Sequence, residues 1–181
     1  MVAGQFVRQL RDRTDAAIQE LFDQFYARIY RYLARFVDDP QTAADLTQDT
    51  FLKVYLALPR LPDDTNVSAW LFQIATNVAR SHYRRKRLIR WLPLEHWNTP
   101  QPSGEDQVIQ RDQVDRALNA LSIEYKTCLL LHVWAGLTCA EIGETIGKTA
   151  SSVKMLLMRA RRQFRAAYEA SGDETSPEEW L

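Results

Sequence analysis

Residues 136–164, GLTCAEIGETIGKTASSVKMLLMRARRQF, constrain this chain more than any other stretch, because two helical patterns there are joined by a single glycine turn. Thr138 can cap a short helix whose inward residues are Ile142 and Ile146. Gly143 lies between them, and without a side chain it lets a second helix pack very close. Gly147 stands where a helix end needs a left-handed residue, which glycine adopts without steric cost. Thr149 or Ser151 can cap the next helix, in which Val153, Leu157, Ala160 and Phe164 recur at the spacing of one buried face. Ser151, Ser152, Lys154, Met155, Arg159 and Arg162 fall on the opposite face. Residues 148–165 hold six basic residues and no acidic one. A polar start and a basic far end suit a helix that reads bases near its N-terminus and grips phosphates along its length. An ordinary amphipathic hairpin with a solvated face is the alternative reading of the same pattern.

Formal net charge is zero, with 23 basic and 23 acidic residues, which by itself argues against a polyanionic partner. The distribution reverses that. Residues 80–90, RSHYRRKRLIR, carry another six basic side chains and no acid, so two short stretches hold twelve of the 23. Screening limits the reach of distant acids to about 8 Å at physiological salt, so phosphate binding follows local charge. Hydrophobic residues at 46% and charged residues at 25% are the balance of a soluble globular protein. No apolar run approaches the roughly 18 residues of a membrane span, and the N-terminus lacks a signal-peptide core. A cytoplasmic protein without membrane insertion is expected. Cys128 and Cys139 stand apart in apolar helical surroundings with no CxxC, and read as buried thiols rather than redox or metal groups.

Residues 1–15 are polar and carry no strong pattern. From about residue 16, Ile18, Leu21, Phe22, Phe25, Ile29, Leu33 and Phe36 step at threes and fours, and Tyr26, Tyr30 and Tyr32 widen that face. Asp39 and Pro40 supply a cap and a first helical position for the next helix, over residues 41–58. Ala44, Phe51, Val54, Tyr55 and Leu58, with Leu46 in part, form its apolar face. Asp45, Gln48, Asp49 and Leu52 make a separate acidic stripe ending on an exposed leucine, which on the residues alone reads as a solvated face. Residues 59–68, with two prolines, are a loop. Ser68 then caps a helix over residues 69–87, with Trp70, Leu71, Ile74, Ala75, Val78 and Ala79 inward. Gln73, Asn77, Arg80, Arg84 and Arg87 line its other side, polar then basic, an arrangement suited to a nucleic-acid strand. His82 reads as a partly exposed helix residue, since no second ligand stands at useful spacing.

Residues 93–106 contain three of the chain's seven prolines and read as an extended linker. Helix formation resumes near Gln107, with Val108, Val114, Leu118 and Leu121 in step. Ser122 caps a mostly buried helix in which Cys128 and His132 both read as core. After Tyr168 the chain turns acidic and is expected to be disordered. No strand pattern survives. The expected architecture is all-α: an N-terminal segment 1–15, small helical domains at 16–92 and 107–168 joined by the linker 93–106, and an acidic tail at 169–181. There is no Gly-rich phosphate loop, metal cluster or nucleophile–base pairing, so no catalytic residue, metal or cofactor is expected and an enzyme is disfavoured.

The order of these parts resembles the extracytoplasmic-function group of alternative bacterial RNA polymerase sigma factors. The resemblance is carried by DLTQDTFLKVY at 45–55, AWLFQIATNVARSHYRRKR at 69–87 and LTCAEIGETIGKTASSVKMLLMRAR at 137–161, and spans about residues 16–168. It implies that Asp45, Gln48, Asp49 and Leu52 dock on core RNA polymerase, with Phe51 in the core of the domain. It implies that loop 62–67 and the following helix capture melted minus-ten promoter DNA, through Gln73, Asn77, Arg80, Arg84 and Arg87. The last helix would read the minus-thirty-five element through Ser151, Ser152, Lys154, Met155, Arg159 and Arg162. An anti-sigma factor is a further implied partner. The family's recognition helix commonly reads VKSRLxRAR where this chain has VKMLLMRAR. Met155 and Leu156 replace Ser and Arg there, so base contacts at those two positions do not carry over, and contact with thymine methyls is open to Met155. The loop PDDTNV also departs from the family pattern, which leaves minus-ten preference open. Two other readings fit parts of the sequence: a free-standing, dimeric helix-turn-helix regulator, and an adaptor whose basic faces meet acidic proteins. A regulator needs neither the acidic stripe nor a second basic helix.

Overall fold

The computed structural model describes residues 2–37, 39–89 and 113–170. Among them are eight α-helices and no strand: α1 Val2–Arg11, α2 Asp15–Ala34, α3 Pro40–Ala57, α4 Val67–Ile89, α5 Gln113–Asn119, α6 Ile123–Val133, α7 Cys139–Ile146 and α8 Ala150–Glu169. A 3-10 turn, Leu58–Arg60, follows α3. The expected linker 93–106, the helical start at 107–112 and the tail beyond 170 lie outside the described residues. Glu169 belongs to α8 rather than to the tail.

The first half departs from expectation at several places. Residues 1–15 are not patternless, since α1 buries Val7 and Leu10 against the 3-10 turn. The aromatic face of α2 is narrower than its tyrosines suggest. Tyr32 is buried, its hydroxyl 2.7 Å from the Thr76 hydroxyl, while Tyr26 is exposed. On α3, Tyr55 is also exposed, and Thr47 and Thr50 take buried positions instead. Their hydroxyls donate to the carbonyls of Ala43 and Leu46 at 2.7 and 2.8 Å, which satisfies two polar groups inside the core. Finally, α4 starts earlier than expected, and Asn66 rather than Ser68 caps it, accepting from the Ala69 N–H at 3.2 Å. The cap of α3 is as expected: Asp39 accepts from the N–H groups of Gln41 and Thr42, with Pro40 at the first helical position.

Helix α3 packs against α2 and α4, while α5, α6 and α7 pack against α8. The two groups touch. Arg35 at the end of α2 pairs with Asp115 of α5, and its guanidinium lies 4.9 Å from the ring centroid of Trp134. Lys126, buried on α6, donates to Asn119 at 2.7 Å and lies over the Phe36 ring. The Asn66 amide donates to Glu141 at 2.9 Å, joining the start of α4 to α7.

Candidate nucleic-acid interface

The turn between α7 and α8 is built by reciprocal caps. The Thr138 hydroxyl accepts from the Glu141 N–H at 3.3 Å, and the Glu141 carboxylate accepts from the Thr138 N–H at 2.8 Å. The Thr138 N–H and hydroxyl, both donating to the carboxylate, with a further bond from Asn66, hold the Glu141 carboxyl below its ordinary range. Gly147 closes α7 at φ 73°, in the left-handed region. A Cβ on Gly143 would lie 2.5 Å from the Lys148 carbonyl oxygen, so the close approach this glycine permits is to the turn backbone rather than to a helix face. Ile142 is fully buried, whereas Ile146 is only half-buried. Thr149, not Ser151, caps α8, accepting from the Ser152 N–H at 3.2 Å.

With Val153, Leu157, Ala160, Phe164 and Tyr168 buried, the other side of α8 is fixed by the helical repeat. Ser151, Ser152, Lys154, Met155, Arg159 and Arg162 are all exposed. Met158 is a member that sequence reasoning missed. It is 55% exposed, and at about 100° per residue it falls about 20° from Ser151 and about 40° from Arg162 on the outward face. The heptad step from Ser151 and the four-residue step to Arg162 were the signal that could have found it.

On α4, Asn77, Arg80 and Arg84 are exposed and Gln73 is half-buried, while the Arg87 side chain lies outside the described residues. Asn77, Arg80 and Arg84 line a cavity of about 770 Å³. Its far wall is Glu124 and Thr127 of α6 with Lys148 from the α7–α8 turn. Lys148 and Glu124 form an ion pair at 3.0 Å. The polar stripe of α4 therefore looks toward the helix-turn-helix, not away from it.

The acidic stripe of α3 is on the surface: Asp45, Gln48, Asp49 and Leu52 are exposed, while Phe51 is buried and stacks on Phe22 at 4.4 Å. Leu56, 64% exposed and one turn beyond Leu52, extends its apolar end and was missed because the sequence offers no partner for it. Burial pushes the Cys128 thiol up to about 11, with Glu124 adding to the rise, so it stays protonated. Cys139 is half-exposed at the first position of α7, which corrects its reading as buried. His132 is held by the Leu137 carbonyl at 3.0 Å and is half-buried. Among the described residues no group of His, Cys, Asp or Glu could hold a metal ion, and no helix is long and apolar enough to cross a membrane.

Two family models match the two helix groups: Sigma-70 region 2 over residues 21–89, and Sigma-70 region 4 over residues 111–164. The chain belongs to the sigma-70 family. It is similar to RNA polymerase sigma factor SigZ of Bacillus subtilis, at 28% identity over 84% of this chain and 87% of that one. It is similar also to the ECF RNA polymerase sigma factor SigE of Mycolicibacterium smegmatis, at 30% identity over 87% of this chain and 63% of that one. Among solved structures, CnrH in complex with the cytosolic domain of CnrY shares the fold with a TM-score of 0.72. Identity there is 21%, over 93% of this chain and 97% of CnrH. RpoE in complex with the anti-sigma factor NepR, from Bartonella quintana, does so with a TM-score of 0.67 and 20% identity, over 83% of this chain and 96% of RpoE. The resemblance read from the sequence is thus confirmed. This sigma-70 protein is an alternative sigma factor of the extracytoplasmic-function group, acting in promoter recognition.

Proposed function

We propose that three faces divide the work of this sigma factor. The outward face of α8 reads the minus-thirty-five element, with Ser151, Ser152, Lys154, Met155, Arg159 and Arg162 as contacts. The stripe of α4, from Gln73 through Asn77, Arg80 and Arg84 to Arg87, captures the melted minus-ten strand. Asp45, Gln48, Asp49 and Leu52 on α3 dock on core RNA polymerase. The observation that carries this reading is the face of α8 opposite its core, exposed, polar at its start, basic beyond, and without an acid from Ser151 to Arg165. Strand opening then needs no catalytic residue and no nucleotide hydrolysis, since melted bases gain contacts that paired bases lack.

The promoter elements are named for positions about 25 base pairs apart, which is roughly 85 Å of B-DNA at ~3.4 Å per base pair. Contact between Asn66 and Glu141 is incompatible with that span, so residues 16–92 and 107–168 act as two domains that part on DNA. An anti-sigma factor is a fitting partner, since RpoE is seen in complex with the anti-sigma factor NepR, and a cytoplasmic site of action follows from the promoter. The reading is tested by titrating core RNA polymerase with Asp45→Ala/Asp49→Ala. Exposed acids contribute little to stability, within about 0.5 kcal/mol, so the variant should fold normally and bind core more weakly. Unchanged affinity would remove the docking assignment.

A further inference from the structure

Helix α1 and the turn after it have no part in the reading above, yet their contacts converge on the loop between α3 and α4. We propose that α1 is a brace that presets this loop, residues 59–66, for capture of the melted strand, with Arg11 and Arg13 as positioning residues. The proposal rests on the assignment of that loop and α4 to minus-ten DNA.

The argument begins with a missing donor. In the last turn of α3 the Tyr55 carbonyl would accept from the N–H four residues on, but position 59 is a proline and has none. Arg13 supplies the bond instead. Its Nη2 donates to the Tyr55 oxygen at 3.1 Å, and its guanidinium lies 4.4 Å over the Tyr55 ring. The backbone pays a strain to place it there, since Arg13 sits at φ 54°, a region that non-glycine residues seldom occupy. Pro59 thus ends α3 and opens the loop, while the orphan it creates is met from outside by the turn after α1.

The loop is held at two further points. Arg11 pairs with Asp63 at 2.8 Å, and Val7 and Leu10 are buried in the same core as Leu58 and Leu61. The Thr65 hydroxyl and N–H both donate to the Pro62 carbonyl, at 2.8 and 3.2 Å, closing a tight turn between those anchors. A loop already in its binding shape loses less freedom on capture. Arg11 also offsets Asp63, one of two adjacent acids that would otherwise repel a phosphate backbone.

The test uses full-length variants assembled on core polymerase, read by permanganate reactivity of minus-ten thymines beside core affinity and thermal unfolding. Arg13→Ala should lower reactivity about tenfold, because the Tyr55 carbonyl loses its donor and its ring the guanidinium stacked on it. Arg13→Gly should be as poor although it relieves the strained backbone, and Arg13→Lys should recover part. Arg11→Ala acts through an exposed pair and should cost about threefold. Arg11→Asp should cost more, and combining it with Asp63→Arg should restore the parent. Parent-level reactivity in Arg13→Ala and Arg11→Asp sinks the brace, as does a loss that merely tracks falling core affinity and melting temperature. Asn77→Ala/Arg80→Ala is the control for the underlying reading. If it too melts the promoter like the parent, the minus-ten assignment has failed and the brace fails with it.

Discussion

Helices α4 and α8 both carry a polar-then-basic stripe beside an apolar core, but the fold presents them differently. On α8 the six residues expected to meet DNA are all exposed. On α4 the stripe begins half-buried at Gln73, and Asn77, Arg80 and Arg84 look across a cavity at α6 and the α7–α8 turn. Equal charge patterns therefore do not mean equal readiness. On the proposed assignment the α8 face is accessible as it stands, whereas the α4 stripe faces a cavity walled by the other helix group. That asymmetry suits a factor that must find duplex DNA before it opens any.

The largest effect should come from removing the α4 stripe. An Asn77→Ala/Arg80→Ala/Arg84→Ala variant should lose minus-ten melting by roughly tenfold or more, since charge-assisted bonds and strand contacts go together. Duplex recruitment through α8 should stay near the parent. Permanganate footprinting and filter binding of holoenzyme on one promoter separate the two, and normal melting would remove α4 from the role.

On α8 the expected changes are smaller and differ in kind. Lys154 lies in the first turns, where base edges are reached, so Lys154→Ala should alter preference at one base pair by about 1–3 kcal/mol. Arg159 stands farther along, nearer the phosphates, and Arg159→Ala should weaken all sequences alike and flatten the salt dependence. Met155 and Met158 project between them, about 4.5 Å apart along the axis at 1.5 Å per residue. Replacing thymine by uracil in the upstream element should weaken the parent but not Met155→Ala/Met158→Ala. Holoenzyme selections on linear promoter libraries check all of these. Identical preferences in the parent and Lys154→Ala would mean that the helix does not read bases at that point.

The helix-turn-helix was almost fully legible because each of its signals is local: Thr138 three residues before Glu141, Gly147 at the helix end, and one buried face through α8. What was missed depends on partners distant in sequence. Helix α1 is short, and its Val7 and Leu10 become core only against Leu58 and Leu61. Tyr55 is apolar enough for an inward position, but the threonines of α3 satisfy their hydroxyls within the helix and take that side. Asn66 and Ser68 are both good caps two residues apart, and propensity does not choose between them. The Arg35 pair with Asp115 joins residues 80 positions apart, with nothing local to announce it.

The smallest effect should be a pH dependence of the link between the halves. Glu141 uses one carboxylate oxygen to cap Thr138 and the other to accept from Asn66. Those bonds favour the charged form, so its folded value lies below the ordinary 4.5. A carboxyl depressed in this way stabilises the folded protein at neutral pH. Its contribution begins to fall below the unfolded value and is lost as pH drops through the folded one. Because Glu141 is only partly buried and its bonds lie at the surface, screening keeps the effect below about 1 kcal/mol. Glutamine at this position can still complete a capping box and accept from the Asn66 amide, yet it does not titrate. Thermal unfolding of the parent and Glu141→Gln, followed from pH 6 to pH 3, should therefore converge as acid removes the parent's advantage. Asp39, whose carboxyl is likewise lowered by its bonds to Thr42, is common to both proteins and drops out of the difference. A gap between the two curves that stays constant with pH would show that the Glu141 charge plays no part in holding α7 to the start of α4.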